Sequence, residues 1–175
     1  VHTDIVLKVL VLVWIVLPAY LANAAPVIFA KIYGKPRRPL DHGRFFIDGK
    51  RLLGDNKTVE GTMAAITVGF VVALVQGVVE ASYFAIARGC IISLGAVVGD
   101  LLGAFIKRRL GLKPGSPAPL IDQLTFLYAA LALVHITGMQ RFDLTDVALL
   151  SVITLVLHLL SNVVAYMLRL KEVPW

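Results

Sequence analysis

Apolar residues run for about twenty positions at a time along the chain, and shorter polar stretches separate the runs. An α-helix crosses the ~30 Å hydrocarbon core of a bilayer in roughly 20 residues, so runs of this length read as spans. The pattern predicts an all-α integral membrane protein of one domain, residues 1–175, with five transmembrane helices over about 5–30, 61–79, 89–106, 120–139 and 147–168. Pro18 and Pro26 predict bends in the first helix. Within it, Ala22-Asn23-Ala24 has the small-x-small form of a signal-peptidase site. Cleavage there would leave a very basic segment on the outer face, against the positive-inside bias, so a retained helix is expected.

The polar stretches carry most of the charge. Lys31, Lys35, Arg37, Arg38, Arg44, Lys50, Arg51 and Lys57 fall between the first two runs; Lys107, Arg108, Arg109 and Lys113 fall between the third and fourth; Arg169 and Lys171 follow the fifth. Lys8, Arg88 and Arg141 belong to the alternate segments. Fourteen cations against three predict an outside amino terminus and a cytoplasmic carboxyl terminus, with the basic loop between helices 1 and 2 in the cytoplasm. Gly95, Gly99 and Gly103 form a small-residue stripe on the third run, suited to close helix packing or to a homodimer.

Composition narrows the class. The chain is 58% hydrophobic and 16% charged, with a mean hydropathy of +0.83, values foreign to a soluble domain. The single Cys90 excludes an intrachain disulfide and a cysteine-cluster metal site. A net charge of +6 distributed between apolar runs fits anionic lipid headgroups and phosphorylated substrates, not nucleic acid.

Asp100 lies inside the third run, a costly place for a carboxylate, and marks a site. With Asp122 in the first turn of the fourth run it makes a pair of acids separated by a basic loop, toward the cytoplasmic side. Magnesium takes one or two carboxylates plus phosphate oxygens and water, and displacement at phosphorus needs positioning and charge neutralisation above all. Lys57, Lys107, Arg108 and Lys113 are candidates for the neutralising cations; Arg109 reads as a headgroup anchor. An internal ion pair between Asp100 and Lys107, seven positions on and nearly on the same face, is the structural alternative. The segment Gly54-Asp55-Asn56-Lys57-Thr58-Val59-Glu60-Gly61 lacks the glycine and the preceding strand of a P-loop; one of Asp55, Asn56 or Thr58 is expected to cap the second helix.

That segment, with Gly99-Asp100, Lys107-Arg108-Arg109 and Asp122-Gln123-Leu124, resembles the CDP-diglyceride synthetase family and, within it, the archaeal branch of CDP-archaeol synthases, short five-span proteins. The resemblance implies Mg2+-dependent transfer of the cytidylyl group of CTP onto 2,3-bis-(O-geranylgeranyl)-sn-glycerol 1-phosphate, giving CDP-archaeol and pyrophosphate. It also implies a multi-pass protein of the cell membrane whose active site faces the cytoplasm. Asp100 and Asp122 match acidic positions where metal and phosphates are expected, with Lys107 as a further catalytic group. Asp55, Asn56, Lys57, Thr58, Glu60, Arg108, Lys113 and Gln123 are the implied substrate-binding set, and Asn56, Asp41 and His42 are candidates for cytosine selection. The chain departs from the family pattern at Pro114 and Thr125, where relatives carry acids.

The remaining polar residues have plainer expectations. Asn23, Asn162, His135 and His158 are expected to hydrogen-bond between helices, and Glu80, Arg141, Asp143 and Asp146 to be solvated at the outer edge. A small transporter or channel with Asp100 as ion site is the competing reading, but no inverted repeat relates the halves. The acids also lack the spacing of the CDP-alcohol phosphotransferase signature.

Overall fold

Thr58 and Ser82 each begin a helix for the same reason: a side-chain hydroxyl accepts a backbone N–H that the first turn leaves unpaired. Thr58 takes Gly61 N at 3.1 Å and Ser82 takes Ala85 N at 3.3 Å. The computed structural model describes residues 2–34 and 38–169, so Lys35, Arg37 and Lys171 lie outside the described residues. It contains five helices: α1 (His2–Tyr33), α2 (Val59–Val79), α3 (Tyr83–Arg109), α4 (Ile121–Ile136) and α5 (Leu144–Met167). The order and number agree with the apolar runs. The third helix starts six residues earlier than predicted, because the Ser82 cap lets Tyr83–Arg88 continue as helix. Four helices are long and apolar enough to span; α4, with 16 residues, is shorter than the predicted fourth span.

Small residues set the packing. α3 packs most extensively on α4, and the glycine stripe is the reason. A Cβ on Gly95 would lie 2.6 Å from Ala130 Cα, and one on Gly99 2.6 Å from Phe126 Cα and against Thr125 O. The two backbones touch, as small-xxx-small seams allow. The stripe is therefore consumed within the chain and is not free for the homodimer considered above. Gly69 nests similarly between Ser93 and Ala22, where α1, α2 and α3 meet. Val16, Ala19, Ile92, Leu127, Ala130, Val134 and Leu150 form the core, while apolar side chains such as Leu10, Phe70, Val98 and Leu159 face outward, as a lipid solvent permits.

The end of the bundle opposite the basic loops is clasped by polar groups. Gln76, fully buried, donates to Trp14 O. Glu80 accepts from Trp14 Nε1 at 2.8 Å and from Arg88 at 2.6 Å. Asp143 and Asp146 form a capping box at the start of α5, and Lys8 pairs with both. Glu80 and Asp143 are exposed at this edge as expected and also join helices, while Asp146, with a side chain 14% exposed, is largely covered. His135 is exposed in the last turn of α4 and, among the described residues, has no hydrogen-bond partner, contrary to the interhelical bond expected of it.

Candidate active site

The loop between α1 and α2 folds around Asp41. Its buried carboxylate accepts from Gly43 N, Leu53 N, Gly54 N and the Arg51 guanidinium at 2.8–3.3 Å. Burial alone would push this carboxyl up, but the Arg51 hydrogen bond and the backbone N–H groups of Gly54, Leu53 and Gly43 outweigh it and hold it well below the usual carboxylate range. Asp41 is therefore the knot of the loop and has no oxygen left over for a cytosine. Arg109 fastens the same loop to α3. Its guanidinium sits over the rings of Phe46 and Phe105 at 4.9 and 4.6 Å, donates to Arg51 O at 2.6 Å and lies 3.0 Å from Asp48. It clamps the loop and does not anchor at headgroups.

So held, the loop doubles back and delivers Lys57. Leu40 N donates to Lys57 O and Val59 N to Arg38 O, pairing Pro39 with Thr58 as an antiparallel bridge. Lys57 Nζ then reaches both carboxylate oxygens of Asp100 at 2.6 Å. Side-chain exposures of 26% and 34% put this pair at the mouth of the site, neither solvated nor sealed. Asp100 takes its partner from the loop, not from Lys107. Seven residues along a helix is about 10 Å of axial rise, beyond the spacing at which side chains of one helix meet.

Lys107 instead donates to Asp122 at 2.7 Å and to Ser116 O at 3.1 Å. The other Asp122 oxygen accepts Ala118 N at 2.9 Å, so this acid organises the α3–α4 loop and the start of α4. Arg108, 5% exposed, donates to Lys113 O at 2.9 Å. Its Nη1 passes close beneath Gly54, where a Cβ would lie 3.0 Å away, and its buried Nε has no partner among the described residues.

A cavity of about 50 Å³ is walled by α1, α2 and α3 and lined by Asn56, Lys57, Thr58 and Asp100 from the predicted set. The structure does not bring the rest to it. Asp55 pairs with Arg51, Glu60 with Arg38, and Lys107 with Asp122. Arg108, exposed Lys113 and half-buried Gln123 lie outside the lining too. One polar residue of the lining was read only as an interhelical bond: Asn23 of α1, whose position between two helix prolines was the available signal.

No group of three or more His, Cys, Asp or Glu side chains capable of holding a metal occurs among the described residues. The oxygen donors at the cavity are one carboxylate, the hydroxyls of Thr58 and Thr62 and the carboxamides of Asn23 and Asn56, which suits magnesium completed by phosphate oxygens and water and does not suit a cage of carboxylates. Lys57 Nζ occupies both Asp100 oxygens, so a metal at this carboxylate would take the place of the ammonium.

Comparison with known proteins gives a consistent picture. Residues 3–175 match the family described as "CarS-like: CDP-archaeol synthase". The chain is similar to the CDP-archaeol synthase of Methanopyrus kandleri, 42% identical over 93% of this chain and 91% of that one. That of Thermofilum pendens is 45% identical over 91% of this chain and 78% of the relative. A solved intramembrane enzyme of archaeal membrane lipid biosynthesis is 38% identical and superposes with a TM-score of 0.76, covering 86% of this chain and 91% of that one.

Proposed function

Because the chain belongs to the CDP-archaeol synthase family, we propose that the Lys57–Asp100 cavity is where it joins CTP to a lipid phosphate. The chain is a CTP-dependent cytidylyltransferase of the membrane that forms CDP-archaeol. Its acceptor is 2,3-bis-(O-geranylgeranyl)-sn-glycerol 1-phosphate, and the basic end of the bundle, which carries the site, faces the cytoplasm. The observation that carries this reading is a carboxylate on an apolar helix whose two oxygens are held by one lysine from a basic loop.

An oxygen of the lipid phosphate attacks the α-phosphorus of CTP in line. The bond from that phosphorus to the oxygen bridging to the β-phosphate breaks, and pyrophosphate leaves. Both partners are anions, so the task is to hold like charges together, and a strong general base is not required. Magnesium held by Asp100 would supply charge neutralisation of the triphosphate when bound. Lys57, released from Asp100, neutralises phosphate oxygens. Asn56 borders the nucleotide, and Thr58 fixes the first turn of α2 beneath it. Lys107 supplies charge from the next level of α3, oriented by Asp122, whose oxygens are already bonded. Asp122 thus serves as the orienting acid in this reading, and Asp100 as the metal ligand. The cavity, partly open and of about 50 Å³, has room for a few waters and not for a triphosphate. Nucleotide binding therefore has to part the ion pair.

The test is incubation of the purified protein in lipid–detergent micelles with CTP labelled at the α-phosphorus, magnesium and the ether lipid phosphate. A labelled lipid and released pyrophosphate are expected, both abolished by chelation of the metal. Absence of labelled lipid, or ion flux in liposomes without nucleotide, would overturn the reading.

A further inference from the structure

Asn23 belongs to two cavities at once. It lines the small polar cavity beside Lys57 and Asp100, and it also lines a groove of about 500 Å³ between α1 and α5. It is the single residue that the two linings share. The groove walls are mostly apolar, with Val13, Leu17 and Leu21 facing Leu157 and Val164. Along α1 the lining runs from Val13 to Ile28 and along α5 from Thr154 to Leu168, about 21 Å at 1.5 Å per residue. From Asn23 back to Val13 it offers about 15 Å, the depth of one leaflet of a ~30 Å hydrocarbon core, along which a lipid chain can lie.

The chemistry of Asn23 fits a ligand better than a structural role. The buried polar side chains Gln76, Ser93 and Thr154 are paired: Gln76 with Trp14 O, Ser93 with Cys90 O, and Thr154 with Leu150 O and Tyr20. The Asn23 carboxamide makes no hydrogen bond to any described residue, an expensive arrangement in an apolar setting unless something else accepts its N–H groups. It stands on the α1 wall of the apolar trough where that wall borders the pocket of the Lys57–Asp100 pair, a place at which a lipid can change from chain to phosphate.

We propose that Asn23 binds the acceptor lipid. An isoprenoid chain lies in the α1–α5 groove, and the Asn23 carboxamide donates to the lipid phosphate as that group enters the Lys57–Asp100 cavity. This rests on the cytidylyltransferase reading above and adds the path and the recognition residue of one substrate.

The experiment measures initial rates in mixed micelles while CTP and the lipid phosphate are titrated separately. Asn23→Ala is expected to raise KM for the lipid about tenfold, the worth of one hydrogen bond to a charged group, with KM for CTP and the melting temperature unchanged. Asn23→Ser, which keeps a donor, is expected to fall between Asn23→Ala and the native chain. Ala165→Phe, which fills the groove, is expected to raise KM for the two-chain lipid and to leave that for a short-chain acceptor phosphate unchanged. An unchanged lipid KM in Asn23→Ala, or an equal rise for CTP, would overturn the proposal while the native enzyme's turnover stood. No turnover by the native enzyme would instead remove the reading beneath it.

Discussion

Replacing Lys57 with methionine removes the cation that both Asp100 oxygens share. At 2.6 Å the Coulomb attraction is about 6 kcal/mol for an effective dielectric of 20, but desolvation of both groups offsets most of it. Exposed pairs are worth about 0–1 kcal/mol, whereas breaking a buried one costs about 3–5 kcal/mol. With exposures of 26% and 34% the pair sits between these cases, and Lys57→Met should cost about 2 kcal/mol, or about 4–8 °C of melting temperature. Asp100→Asn should cost about 1 kcal/mol, since the freed ammonium can extend to water. The double variant should lose no more than Lys57→Met alone, giving a coupling of about 1 kcal/mol in a double-mutant cycle. Thermal unfolding in detergent measures all three. A second arm adds magnesium and CTP at a hundred times Kd, which stabilises a competent protein by about 2.7 kcal/mol. The native chain should respond and Asp100→Asn should not. Additive losses in the cycle, or equal stabilisation of Asp100→Asn by magnesium and CTP, would refute the assignment of this pair.

Three further outcomes follow from the geometry. Because the folded Asp41 carboxyl titrates below its ordinary value, its contribution is complete above the unfolded value of about 3.9 and is lost as pH falls from there toward the folded one; Asp41→Asn should melt lower than the native chain at pH 7, with the gap closing toward pH 3. Gly99→Val drives a branched side chain into the backbone of α4 and should cost at least the 1–3 kcal/mol of an overpacked core, read as a fall in melting temperature. Arg109→Lys gives up the planar stack on Phe46 and Phe105 and the bond to Arg51 O; about 1–2 kcal/mol should be lost, and trypsin should cut the loop at Lys50 and Arg51 faster than in the native protein.

The apolar runs carried the helices because the length of a span is a property of local sequence. Thr58 was legible as a cap for the same reason. What local sequence hid was partner choice. Lys107 shares a face with Asp100 by periodicity, yet axial distance separates them and a residue 43 positions away supplies the lysine. Asp41 and Glu60 looked like site acids because the loop's composition does not say which groups turn inward. Only the closed loop shows Asp41 under four backbone and side-chain donors and Glu60 held by Arg38. The glycine spacing announced a close neighbour without naming it, and the neighbour is α4. Asn23 was overlooked since a carboxamide in a span usually finds a helix partner.

The α3–α4 seam has a mechanical consequence. Where backbones touch, no side-chain rotamers remain to slip, so these two helices behave as one rigid plank that bears Asp100, Lys107 and Asp122. The gape that admits a triphosphate must then come from the other jaw, α1 and the loop before α2. The Trp14, Gln76, Glu80 and Arg88 clasp ties α1, α2 and α3 together at the far end, which would serve as the fulcrum of such an opening.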